Sequence, residues 1–177
     1  EALPLLAKGG FYHAGQVCVS VQKVFVHESR LDEFQKQLVK LAEKLVVGDP
    51  TDEKTEVGPL IQESEVDRVH QWVNEAKIAG AKILTGGKKI GNTCYAPTIL
   101  LNPADEAKVS THEIFGPVIN IYSFKDRLRA IERANLTPFS FQAAVFTKSI
   151  DTALDTSKRI NAAAVMINDH TAFRVDW

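Results

Sequence analysis

PVINIYSF (117–124), QAAVFT (142–147) and AAAVMIN (162–168) are three nearly unbroken apolar runs, and their reading decides the fold. The segments between them, Asp126–Asn135 and Ile150–Arg159, read as helices. Strands that are apolar on both faces and alternate with helices imply a parallel sheet covered on both sides. Each connection should then be a right-handed crossover. The predicted class is α/β, a mostly parallel twisted sheet with helices on both faces.

Toward the N-terminus, residues 1–14 open as a helix with Leu3, Leu6, Ala7 and Phe11 on one face. VQKVFV (21–26) is rich in β-branched and aromatic residues and reads as a strand. Ser29 is the predicted N-cap of an amphipathic helix running to Val46, with Leu31, Phe34, Leu38, Leu41 and Leu45 on its apolar face. GDPTDEKTEVGP (48–59) is a polar loop punctuated by Gly and Pro. A further helix is predicted over Gln62–Ala79, burying Val66, Val69, Trp72, Val73 and Ala76 and ending at Gly80. AKILTGG and YAPTILL read as short strands. No internal repeat or low-complexity tract is visible.

A chain of 177 residues suits one domain, and 45% apolar with 24% charged residues is a globular balance. The net charge is −1, and Lys and Arg are scattered. Nucleic acid and anionic membrane surfaces need a basic stripe, so neither partner is expected. No apolar run approaches the ~20 residues that span a bilayer. Two cysteines make no disulfide framework, and the five histidines (13, 27, 70, 112, 170) show no HxxxH spacing. No metal site is predicted, and a reducing cytoplasm is the default compartment. The chain opens at Glu1 without a Met and stops at Trp177 in mid-phrase, which suggests a segment of something longer.

The chemistry turns on GQVC (15–18). Gly10 and Gly15 have the spacing of a phosphate-binding loop, but Gln16 and Val17 follow where Lys and Ser/Thr are needed. No G-x-G-x-x-G follows a strand. His112-Glu113 reads, on spacing alone, as a solvated pair, because adjacent side chains point apart. Cys18 has two readings. Free cysteine is usually buried and inert, and local sequence favours that reading. Yet Gly15 permits close backbone approach, and peptide N–H groups leading into a turn can stabilise a thiolate and an oxyanion. Such a thiolate attacks carbonyl carbon. With His13 as base, Cys18 would serve a thiol hydrolase or acyltransferase. With Cys18 merely buried, the chain would be a non-catalytic assembly domain.

FYHAGQVCVSVQKVFVHESRLDEF, VVGDPTDEKTEVGPLI, HEIFGPVINIYSF, AAVFTKSIDTA and AAAVMIND resemble, in order and across the whole chain, the catalytic domain of NAD(P)-dependent aldehyde dehydrogenases. The resemblance implies one catalytic domain over 1–177, acting on a small-molecule aldehyde with NAD or NADP. Cys18 matches the family nucleophile, which forms a thiohemiacetal that becomes a thioester after hydride leaves for the nicotinamide; water then releases the carboxylic acid. The Cys18 N–H matches half of the oxyanion hole. Glu113 matches the glutamate that holds the nicotinamide ribose, and Phe115 the aromatic beside it, which reverses the spacing-based reading of Glu113. Val17 and Val19 should bracket the thiol, and Phe173 should wall the substrate tunnel.

The family's general base, second oxyanion donor and cofactor-binding domain precede the matched region. The resemblance therefore implies that these residues alone fold without oxidising aldehydes. It also implies an exposed apolar docking patch, and a dimer or tetramer at full length. Arg174 is expected to meet an anionic group on the aldehyde, since guanidinium binds carboxylate or phosphate in a bidentate fashion; pairing with Asp176 or solvent is the alternative. Replacing Arg174 by Leu in the full-length enzyme should erase a preference for anionic over neutral aldehydes in kcat/KM, and an unchanged preference removes Arg174 from substrate recognition.

Overall fold

A computed structural model describes residues 2–137 and 141–171. Its main sheet contains β1 (Lys23–His27), β2 (Lys82–Thr85), β5 (Thr98–Leu101) and β6 (Val118–Phe124), in the order β1-β6-β5-β2. β6 is parallel to both neighbours, with Asn120 opposite Lys23 and Leu100, whereas β2 runs antiparallel to β5. The short strands β3 (Lys89–Ile90) and β4 (Cys94–Tyr95) form a separate hairpin. A parallel pair, β7 (Gln142–Val145) and β8 (Ala164–Ile167), completes the strands. The main sheet is thus mostly parallel, as expected, with one antiparallel edge, but β7 and β8 form their own parallel pair and do not continue the sheet of β6.

Residues alternate between the two faces of β6, and helices cover both. Ile119 and Ile121 face α1 (Ala2–Phe11), where Gly10 lies so close that a Cβ would enter the Ile119 side chain. α2 (Glu28–Ala42) packs beside α1. On the other face stand Asn120 and Tyr122. The Tyr122 hydroxyl meets Ser110 of α4 (Lys108–Thr111) at 2.7 Å. Its ring stacks on Phe25 and lies under the Arg133 guanidinium of α5 (Arg127–Ala134). Burial pushes the Tyr122 phenol up to about 12. α3 (Glu63–Ile78) packs against α4 and buries Val66, Val69, Val73 and Ala76 completely. Its end is closed by Gly80 at φ +104, with the Gly80 N–H donating to Lys77 and the Ala81 N–H to Ala76.

Three local expectations are corrected. The first helix stops at Phe11 rather than residue 14, because His13 and Ala14 are left-handed (φ 50° and 53°). α2 is capped by His27, whose Nδ1 accepts from the Ser29 N–H, so Ser29 itself lies inside the helix. It ends at Ala42, where turn-like hydrogen bonds from Lys44 and Leu45 replace the helical ladder. The predicted bounds of α6 (Ile150–Arg159) hold without change. Large apolar residues are exposed at several places, Ile78 at 87% and Ile61 at 83% as well as Ile150 at 69% and Leu154 at 53% in α6.

The core beneath the functional segment depends on α3. Val69→Ala should lower stability by about 2 kcal/mol, through lost burial and a small cavity. Urea denaturation of the chain measures this directly.

Candidate active site

The left-handed residues His13, Ala14 and Gly15 (φ 71°) reverse the chain after α1. The turn Val17–Ser20 follows, closed by the Ser20 N–H donating to the Val17 carbonyl at 3.0 Å. Cys18 is the second residue of that turn and is exposed. Among the described residues, its N–H has no acceptor. Gly15 is required twice over. Its φ disfavours any side chain, and a Cβ there would collide with the Gly116 carbonyl. Gln16 then fixes the turn to the 59–61 loop. Its Nε2 donates to Pro59 O at 3.2 Å and to His13 O at 3.3 Å, and its Oε1 accepts from Ile61 N–H at 2.9 Å.

Cys18, Val17, Gln22, Glu113 and Phe115 line one small cleft. Its enclosed volume is about 20 Å³, far below the ~300–1,000 Å³ of a complete small-molecule site. Glu113 is exposed, and among the described residues its carboxylate has no hydrogen-bond or ion-pair partner. His112 faces elsewhere, with Nδ1 at 2.9 Å from Thr111 Oγ1 and its ring against Trp72. The pair is therefore no acid–base dyad. Phe115 is 40% exposed and holds φ 46°, a conformation costing a non-glycine residue roughly 1–3 kcal/mol. Behind the thiol, the Tyr12 hydroxyl is buried without a partner. Burial, and secondarily negative charge at Cys18, push its pKa up.

Some predicted residues are not brought into the cleft. Val19, expected to bracket the thiol with Val17, is only 2% exposed and lies outside the lining, because the turn sends it into the core. Its carbonyl accepts from the Thr171 hydroxyl at 2.7 Å. His13 also lies outside the lining and leans on the Tyr12 ring, so it is not set up as a base for Cys18. Phe173 and Arg174 fall outside the described residues. The other thiol, Cys94, is buried in β4 opposite Ile90. Among the described residues, no cluster of three His, Cys, Asp or Glu is placed to hold a metal.

Residues 1–177 match the aldehyde dehydrogenase family throughout. The chain belongs to that family. It is 40% identical over 176 residues to 3-sulfolactaldehyde dehydrogenase of Priestia aryabhattai, which spans 99% of this chain and 37% of that enzyme. The structure of aldehyde dehydrogenase 21 from Physcomitrella patens, in complex with the reaction product succinate, superposes with a TM-score of 0.95 at 36% identity. That match covers 99% of this chain and 36% of the other. Glyceraldehyde-3-phosphate dehydrogenase GapN from Methanocaldococcus jannaschii, complexed with NADP, gives 0.93 at 38% identity, covering 98% of this chain and 38% of that one. The chain thus spans little more than a third of the length of these relatives.

Sequence reasoning missed the two glutamines, Gln16 and Gln22, as structural clamps, and missed Arg68, which grips the segment after Glu113. No local pattern announces them, because their partners lie more than 40 positions away. The close approach of Gly15 to Gly116 leaves no room for a side chain at position 15. Gly15→Ala should cost at least about 2 kcal/mol from backbone strain and overpacking. The thermal midpoint of the 177-residue chain should fall accordingly.

Proposed function

We propose that residues 1–177 form the thiol-bearing catalytic domain of an enzyme that oxidises an aldehyde to a carboxylic acid with NAD or NADP, and that Cys18 is its nucleophile. The observation that carries this reading is one cleft in which an exposed thiol, a carboxylate without a partner among the described residues and a strained, exposed aromatic ring meet. The residues fit a nicotinamide nucleotide. Glu113 has free acceptors for two ribose hydroxyls, and the Phe115 ring offers an apolar face beside them. Bound there, the cofactor supplies the two-electron oxidant.

The Cys18 thiolate adds to the aldehyde carbon, and the unpartnered Cys18 N–H donates to the oxygen as it becomes anionic. Oxidation of that adduct leaves a Cys18 thioester, and water cleaves it to the acid while the thiol is returned. Glu113 orients the cofactor end of the cleft and takes no proton from the substrate. The base for hydrolysis is assigned to the region that precedes this domain in the family.

The aldehyde is proposed to carry an anionic group met by Arg174. Support comes from the guanidinium's match to such groups and from relatives whose names include a sulfolactaldehyde and an aspartate semialdehyde. We place the full-length enzyme in the cytoplasm as a dimer or tetramer, on cysteine usage and family habit. Among the described residues, no helix is long and apolar enough to cross a membrane.

The two thiols test the assignment. In the full-length enzyme, Cys18→Ala should cut aldehyde oxidation by at least about a thousandfold, whereas Cys94→Ala should keep most of it. In the 177-residue chain, iodoacetamide should label Cys18 at least roughly tenfold faster than Cys94, as exposure dictates. Retained activity in Cys18→Ala would sink the proposal.

A further inference from the structure

We infer that Gln22 is a positioning residue for the cofactor end of the cleft, holding the segment that carries Glu113 and Phe115 in place beside the thiol. This rests on the cofactor reading of Glu113 given above.

Residues 112–115 belong to no strand, so side chains must meet their buried backbone groups. Gln22 lies four positions after Cys18, just before β1. Its Nε2 donates to His112 O at 2.6 Å and to Val109 O at 3.2 Å, and its Oε1 accepts from the Ile114 N–H at 2.9 Å. One side-chain amide thus straddles Glu113, bonded to the residue before it and the residue after it. The other polar group of Ile114 is taken by Arg68, whose Nη2 donates to its carbonyl at 2.7 Å. Arg68 is itself held by Glu65 and by the Trp72 ring, 4.5 Å below. Asn120 of the central strand adds a bond to Val109 O at 2.8 Å.

These bonds explain how Phe115, the next residue, keeps its left-handed φ of 46°. Such strain persists only where the surroundings over-determine it. The amide of Gln22 is occupied by main-chain partners, so although it lines the cleft it acts through Glu113 and Phe115, not on a ligand. Glutamine is the residue that fits the task. Glutamate would turn a carboxylate oxygen toward two carbonyls, and methionine would leave the His112 carbonyl and the Ile114 N–H unmet.

The test is a double-mutant cycle in the full-length enzyme, using Gln22→Met, Glu113→Gln and the combined variant. Gln22→Met should raise the KM for the nicotinamide cofactor roughly tenfold, the scale of one or two lost buried hydrogen bonds. The rate of Cys18 alkylation should not change. Combined with Glu113→Gln, it should raise that KM by a smaller factor than it does alone, because the part of its effect that runs through Glu113 is already lost. A cofactor KM unchanged by Gln22→Met, or multiplied by the same factor with and without Glu113, overturns the inference. If Glu113→Gln alone leaves that KM unchanged, the cofactor reading of Glu113 fails first, and the inference falls with it.

Hydrogen exchange on the 177-residue chain gives a readout that does not depend on the cofactor. Gln22→Met should accelerate exchange of the Ile114 N–H while the β6 amides stay protected. Gln22→Glu, which keeps an acceptor for that N–H, should preserve its protection. If Gln22→Met does not fold, Gln22→Glu carries the kinetic test, with the same expected rise in cofactor KM from its lost donors. Uniform acceleration across β6 in Gln22→Glu would show a general packing role and overturn the inference.

Discussion

The carbonyl of Gly116 occupies the space where a Cβ on residue 15 would stand, and the cleft is organised around that contact. It brings together two segments almost a hundred positions apart: the turn that exposes Cys18 and the extended segment that presents Glu113 and Phe115. Neither segment is regular structure. Each is anchored at one end by a strand, β1 after the thiol and β6 after Phe115, and those strands are parallel neighbours. Parallel pairing sets the two loops side by side at the N-terminal ends of these strands.

Backbone that leaves the ladder must find other partners, and here glutamines provide them. Gln16 ties the thiol turn to Pro59 and Ile61, and Gln22 ties β1 to His112 and Ile114. The short stretch of chain around Cys18 is thereby tied to the 59–61 loop and to the Glu113 segment through side-chain amides. Strain at Phe115 is sustained by the same bonds. An aldehyde dehydrogenase needs the carbon attacked by its thiol to meet the cofactor within a narrow range of positions, and a rigid connection between the two supporting loops serves that need.

Much of the fold was legible because periodicity is a local signal. The spacing of Val66, Val69, Val73 and Ala76 placed α3 correctly, and the apolar runs at 117–124, 142–147 and 162–168 placed β6, β7 and β8. The first helix was overextended because nothing in Tyr-His-Ala announces left-handed backbone; tertiary contact at Gly15 imposes it. Val19 was misplaced for a related reason. In an extended chain it would flank the thiol, but a turn centred on Cys18 and Val19 sends the valine into the core.

The sequence by itself determined the elements, their order, the family and the identity of the residues in the GQVC and EIFGP blocks. Apolar spacing and contiguous motifs are written along the chain and survive without a structure. Only the tertiary structure decided that Cys18 is exposed while Cys94 is buried, that Glu113 has no partner among the described residues while His112 is engaged, and that two glutamines and an arginine bond to distant backbone groups around the cleft. Those facts depend on which distant backbone groups are left unpaired when strands align. Local sequence carries no record of that until the sheet has formed.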